Sequence, residues 1–167
     1  HQGEGIQVVL STPFAAPLSE SPFGLYRRLR RENPSPYMFY MRFGDGVLLG
    51  SSPEVMVTCD RNRLRLCPIA GTRPRSSDLA QDALFGDELL EDPKEKAEHV
   101  MLVDLGRNDL GKIARPGSVP LARYMDVERF SHVMHLTSRI GAALRAGLDA
   151  PHVLAPTSPP GPVSGPP

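Results

Sequence analysis

Glu95 and Glu98 stand three residues apart in the run Lys94-Glu95-Lys96-Ala97-Glu98-His99, a spacing that puts both carboxylates on one face of a helix. A hard cation such as Mg2+ takes one or two carboxylates together with substrate oxygens and water, so the pair has the chemistry of a Mg2+ anchor. The same acids suit a solvated helix start, where the macrodipole favours negative charge, and spacing alone favours that plainer role. His99 and His135 are acids, bases or ligands only if partners are positioned around them, and a structural role is the first expectation for both. Glu54, after Ser51-Ser52-Pro53, by itself marks a strand start. The stretch Gly71-Thr72-Arg73-Pro74-Arg75 offers backbone N–H groups, a hydroxyl and guanidiniums. That set suits a carboxylate ligand, and it also suits a basic surface loop.

The elements that must position these groups are read from periodicity and end signals. A strand is predicted over Ile6 to Phe14, and a helix from Pro22 to Asn33 with Ser21 as its N-cap. A meander follows. Tyr37 to Phe43 and Val47 to Leu49 flank a Gly-Asp-Gly turn, and Val55 to Cys59 pairs with Leu64 to Ile69 across Asp60-Arg61-Asn62. Helices are predicted over Asp78 to Leu90 and Pro93 to Leu110, the latter with a polar start and an apolar stripe that includes Val100, Met101, Val103, Leu105 and Leu110. Val119 and Arg123 to Phe130 read as extended, and His132 to Leu144 fits strand or helix by period. Asp149 to Leu154 allows one or two helical turns. The order of elements argues an α+β fold, with layered, largely antiparallel sheets and helices on the outside.

Composition narrows the function classes. The chain has 167 residues, with 19 basic and 19 acidic side chains that cancel. No global field therefore recommends nucleic acid or an anionic membrane surface as partner, and a charged ligand must be held by local groups. No apolar run approaches the ~18 residues of a membrane span, and the first residues lack the layout of a signal peptide, so a cytoplasmic protein is expected. Cys59 and Cys67 lie at different offsets from the predicted Asp60 to Arg63 turn and are expected to be reduced. Residues 155–167 hold six of the 18 prolines, a composition expected to continue neither a helix nor a central strand. Both ends look cut.

Taken together, the stretches "GEGIQVVLS", "NPSPYMFYMRFGD", "GSSPEVMV", "PIAGTRPR", "KEKAEHVMLVDLGRNDLGKIA", "GSV" and "VERFSHVMHLTSRIGAAL" say more than their parts. In order and spacing the chain resembles the chorismate-utilising enzymes, and among them most closely the large subunits of the anthranilate synthases. The resemblance runs from Gly3 to about Leu148. It implies the chorismate-binding fold, with 1–167 as an interior part of its catalytic domain.

The resemblance also implies roles. Glu98 would bind the Mg2+ that anchors the ring carboxylate of chorismate, with Glu95 in the same shell. Glu54 would act as general acid on the departing C4 hydroxyl, which requires a carboxylic acid kept neutral by burial. His135 would line the ring site, Gly71 and Thr72 would contact the substrate carboxylate, and Ser164 and Gly165 fall in a further substrate-binding segment. The water-using members carry a lysine base where this chain has Gln7, which cannot deprotonate water. The aminodeoxychorismate synthases carry a lysine where this chain has Ala70, so the covalent adduct at C2 implied by that lysine cannot form. Gln7 and Ala70 together fit attack by ammonia, supplied by a glutamine amidotransferase partner, with anthranilate and pyruvate as products. Pro34, Ser35, Tyr37 and Met38 correspond to half of a pocket where tryptophan inhibits.

The pattern departs from the family in residues 159–167, where Pro162 stands for a threonine and Pro166 for an alanine, and where the following lysine, a second Mg2+ glutamate and a substrate arginine have no counterpart. The expectation is therefore an interior piece of a longer enzyme. Two alternatives remain beside the anthranilate-forming one: another ammonia-using chorismate enzyme, making aminodeoxyisochorismate or aminodeoxychorismate, and a truncated remnant without catalysis.

Overall fold

The structure is a computed structural model that describes residues 11–158. These residues form two compact units, 11–55 and 56–158.

In the first unit, Ser21 accepts a hydrogen bond at its hydroxyl from the Gly24 N–H (3.1 Å) and opens helix α1, Pro22–Glu32, with Pro22 in its first turn. Strand β1, Tyr37–Phe43, pairs antiparallel with β2, Gly46–Ser52, in unbroken register from Tyr37 opposite Ser52 to Phe43 opposite Gly46. Phe23 and Tyr26 of α1 bring their rings to 5.4 and 5.6 Å from that of Tyr40 on β1, the former edge-on, a geometry that aromatic quadrupoles favour. The hairpin is as predicted, with β2 longer than expected. The strand expected over Ile6 to Phe14 is not present in its described part: residues 11–14 are irregular. Pro13 has no N–H to give to a ladder, and Phe14 is exposed. Residues 6–10 lie outside the described residues.

The second unit is organised by one long strand. Its elements are β3 (Thr58–Asp60), β4 (Arg63–Leu66), β5 (Ile69–Pro74), helices α2 (Leu79–Glu91) and α3 (Pro93–Ile113), β6 (Leu121–Arg129), β7 (Val133–Ala143) and α4 (Ala150–Thr157). β7 pairs with β6 along one edge and with β4 and β5, end to end, along the other; β3 lies outside β4, and every pairing is antiparallel. The β3–β4 turn is the two-residue Arg61-Asn62, with φ of 48° and 64°, the signature of the hairpin turn whose twist matches that of its strands. The run expected as one strand from Leu64 to Ile69 is two, because Pro68 cannot donate to the ladder and splits β4 from β5; its carbonyl still accepts the Ser138 N–H (3.1 Å). Both cysteines are free thiols.

Helices α2 and α3 begin where aspartates cap them. Asp78 accepts from the Ala80 N–H, and Asp92 from the N–H groups of Lys94 and Glu95. The buried residues of α3 are His99, Val103, Gly106, Asp109, Leu110 and Ile113; all but Asp109 follow a spacing of four and three residues that makes one continuous stripe. Val100, placed in the stripe by the sequence reading, is exposed. Val103, Leu110 and Ile113 pack on Leu64, Ile140, Ala142, Leu144 and Val153, and Leu89 of α2 packs on Met134 and Leu136. Each such Leu contributes about 1.5–3 kcal/mol by leaving water. A Cβ on Gly106 would come within 2.9 Å of Leu66 Cδ2, so α3 lies close against the sheet because it lacks a side chain there. Helix α4 runs to Thr157 through Pro156, further than the proline-rich composition suggested. Pro156 sits in the last turn, where its missing N–H costs a single bond, and the Thr157 hydroxyl donates back to the Val153 carbonyl (2.9 Å). Among the described residues no helix is long and apolar enough to cross a membrane.

Two polar clusters lock this unit. Arg75 donates from Nε and Nη2 to both oxygens of Asp82 (2.8 and 3.1 Å) and from Nη1 to the Phe130 carbonyl (2.6 Å), while Arg129 reaches Asp82 Oδ2 (3.3 Å) and the Ser76 N–H donates to Oδ1 (3.0 Å). Separately, the buried His99 Nε2 lies 2.6 Å from Ser138 Oγ, which also accepts the N–H of Met125 (3.0 Å). Met125 has φ of 54°, in the left-handed region that costs a side-chain-bearing residue energy. It lies where the β6 register shifts between Arg123 and Asp126. Ser138 thus holds a strained bulge and a buried imidazole at once.

Two predictions follow from these clusters. Replacing Ser138 with Ala leaves a buried N–H and imidazole nitrogen unpaired, with an expected loss of about 1–3 kcal/mol measurable as a lower denaturant midpoint; an unchanged midpoint would contradict the role given to Ser138. The Arg75 hydrogen bonds hold the Asp82 carboxyl below its ordinary 3.8, at about 2. A depressed folded value means stability that is present above the ordinary value and lost as pH falls through the lower one. Asp82→Asn should therefore be less stable than the wild type at neutral pH, with the two stability curves converging between 3.8 and about 2; parallel curves in denaturant titrations across that window would refute the assignment.

Candidate functional site

The site grows out of an irregularity in the β5–β7 ladder. Ala70 pairs with Leu136 and Arg73 with Met134, so Gly71 and Thr72 together oppose the single residue His135. This is a bulge, and Gly71 supports it with φ of 66°, the left-handed conformation that glycine takes without penalty. The space beside it is also taken. A Cβ on Gly71 would lie 2.8 Å from Leu89 Cδ1 and 3.1 Å from Glu95 Oε2. One glycine therefore lets α2 and the start of α3 close on the strand and brings a carboxylate to it.

His135 lies opposite the bulge. Its Nδ1 lies 2.8 Å from the Gly71 carbonyl oxygen and 3.1 Å from Thr72 Oγ1, and the Phe130 ring stands 5.6 Å away at a tilt. Glu95, one turn before His99, has its side chain largely buried. Lys94 Nζ contacts Glu95 Oε1 at 3.0 Å and Glu98 Oε2 at 3.5 Å, and these carboxylates, Glu95 foremost, push the lysine above its ordinary value. An ammonium group thus lies between the two acids predicted to share a cation. Among the described residues no group of three or more His, Cys, Asp and Glu side chains is gathered as a metal site.

Ala70 is buried and shares the Leu136 side of the sheet, since directly paired residues point the same way. A lysine there would have to enter among Leu136 and its neighbours. Glu54 belongs to the other unit and is exposed there, not buried as a carboxylic acid kept neutral requires; its N–H donates to Ser52 Oγ (3.4 Å) and its carbonyl accepts from the same hydroxyl (3.1 Å). In that unit too, the Ser35 hydroxyl donates to Met38 Sδ (3.7 Å), Tyr37 begins β1, and Pro34 lies in the loop before it. Gln7, Ser164 and Gly165 fall outside the described residues.

The guanidiniums of the Gly71 to Arg75 stretch do not form the anion receptor that their composition allowed. Arg73 Nη2 donates to Asp92 Oδ2 (2.9 Å) and Arg75 is committed to Asp82. Asp92 also caps α3, and the Glu95 N–H is the leading cause of its lowered carboxyl value, with Arg73 adding to it. Arg73 therefore ties β5 to the helix that carries Glu95 and Glu98. The helix start at Pro93 was read from the sequence, but the bond of Asp92 to a residue 19 positions earlier had no local signal. His99, expected to be structural, is buried and held by Ser138, and burial lowers its value so that it stays neutral.

Comparison with known proteins gives the family of the chain. The family model of chorismate binding enzymes matches residues 1–167. Anthranilate synthase component 1 of Streptomyces coelicolor is 50% identical over 166 residues, which are 99% of this chain and 32% of that protein; its counterpart from Aquifex aeolicus is 49% identical over 99% of this chain and 34% of its own length. The crystal structure of anthranilate synthase component I from Streptococcus pneumoniae TIGR4 superposes with a TM-score of 0.77 at 43% identity, covering 89% of this chain and 32% of that one. The chain thus spans about a third of the length of the relatives it matches. With a family match along its whole length, and mixed helices and antiparallel strands like those of a solved member, the chain belongs to the chorismate binding enzymes.

Proposed function

We propose that the protein containing this chain is the large subunit of an anthranilate synthase, converting chorismate and ammonia to anthranilate and pyruvate. The observation that carries the reading is the Gly71 bulge, across which Thr72 and His135 meet and which the Glu95 carboxylate approaches, residues given to substrate and metal by their motifs. Relatives named as component 1 of anthranilate synthase, near 50% identity over almost the whole chain, support the choice within the family.

In this reading Thr72 and the Gly71 backbone meet the substrate carboxylate, His135 lines the ring, and Glu54 protonates the departing C4 hydroxyl. Glu98 and Glu95 would hold Mg2+. The donor set suits that ion, since two hard carboxylates are what the protein supplies when substrate and water complete the shell, and an ammonium already lies between them. When bound, the ion would neutralise the substrate carboxylate. Ala70 leaves no amine to attack C2, and Gln7 cannot activate water, which favours ammonia as the nucleophile, supplied by an amidotransferase subunit. Pro34, Ser35, Tyr37 and Met38 are proposed as part of a tryptophan inhibition site; the Ser35 to Met38 contact gives that segment a defined shape.

The test is product analysis of the full-length protein with chorismate, ammonium and Mg2+, alone and as Glu98→Gln. Anthranilate and pyruvate in equal amounts are expected, with chorismate affinity in the variant lower by about tenfold, or about 1.4 kcal/mol, only when Mg2+ is present. Accumulation of an amino intermediate without pyruvate would favour another ammonia-using chorismate enzyme, and equal affinity of both proteins at all Mg2+ concentrations would remove Glu98 from the metal site.

A further inference from the structure

We propose that the bulge at Gly71 fixes His135 as the tautomer protonated on Nδ1, leaving Nε2 as the bare, hydrogen-bond-accepting nitrogen of the ring. The polar group that a ligand brings to the outer edge of this imidazole must then be a donor: a hydroxyl, an amine or ammonia. The tautomer stands on geometry alone, whereas its use by a ligand rests on the reading of the site given above.

Two atoms face Nδ1. The Gly71 carbonyl oxygen, at 2.8 Å, carries no proton and can only accept; Thr72 Oγ1, at 3.1 Å, can donate or accept. Were Nδ1 unprotonated, its lone pair would meet the carbonyl lone pairs at hydrogen-bond distance, and the hydroxyl would have to offset that repulsion from a longer contact. With the proton on Nδ1 both contacts are favourable: a main branch to the carbonyl and a weaker one to Oγ1. A neutral imidazole has one N–H, so Nε2 keeps its lone pair.

Two consequences follow. Thr72 spends a lone pair on the imidazole, so the proton of its own hydroxyl points to another acceptor. Thr72 O–H as donor and His135 Nε2 as acceptor then belong to two adjoining side chains, a pair that matches a ligand bearing a carboxylate and a hydroxyl or amine. The controlling atom is moreover a backbone carbonyl, that of the bulge residue Gly71. His135 is the binding group, and Gly71 is its positioning residue.

The full-length protein, labelled with 15N at histidine and held at mildly alkaline pH, tests this by long-range 1H–15N correlation, with the His135 signals assigned by their loss in His135→Asn. The expected spectrum has Nδ1 in the pyrrole-like range and Nε2 well downfield in the pyridine-like range, in the wild type and in Thr72→Val alike. An Nε2-protonated ring, or two averaged shifts, would overturn the proposal, as would a switch to the Nε2-protonated form in Thr72→Val, which would make the hydroxyl the controlling group. An Nδ1-protonated spectrum that does not respond to added chorismate supports the tautomer while counting against the reading of the site.

Discussion

A single residue that must have no side chain sets the candidate site. At Gly71 the backbone turns into the left-handed region, the β5–β7 ladder gains an extra residue, and the vacated space is filled by Leu89 and the Glu95 carboxylate. These are not independent facts. The bulge turns the Gly71 carbonyl toward His135 and sets Thr72 beside it, while the missing Cβ lets the start of α3 approach. Any L side chain at 71 meets both obstacles, the conformational one and the steric one.

The surrounding structure holds that approach in place. β7 carries partners on both edges and packs Met134 and Leu136 under α2, and Ile140 and Ala142 under α3. Arg73, two residues after Gly71, reaches the aspartate that caps α3, so the strand and the helix that present the candidate groups are joined by a charge-assisted bond as well as by apolar contact. Arg75 and Arg129 converge on Asp82 and tie α2 to the loop between β6 and β7. Strand pairing, helix caps and clamps thus join the strands and helices that flank Gly71.

Much of this was legible in the sequence where the cause is local. Ser21-Pro22 marks a helix start because a cap acts within three residues, the starts of α2 and α3 were placed within a residue at Asp78 and Pro93, and the β1–β2 hairpin shows in Gly44-Asp45-Gly46. β7 was ambiguous for a physical reason: Leu136, Thr137 and Ser138 are all buried, so neither face writes a polar alternation. The split at Pro68 needed knowledge of which edge of β7 is in use, and the Arg75 to Asp82 clamp had no periodic trace. The candidate site itself joins residues 63 and 64 positions apart, a distance over which spacing carries no information. Only the resemblance of whole motifs placed Gly71, Thr72 and His135 together.

The claim that the Gly71 bulge builds the site is tested most directly by chorismate affinity in the full-length protein carrying Gly71→Ala, beside Gly106→Ala as a control that crowds the core at Leu66 and Ile140 instead. Both should lose stability, but only Gly71→Ala should lose affinity for chorismate, by about tenfold or more, equivalent to about 1.4 kcal/mol, under conditions where both remain folded. A folded Gly71→Ala protein that binds chorismate as tightly as the wild type would contradict the account.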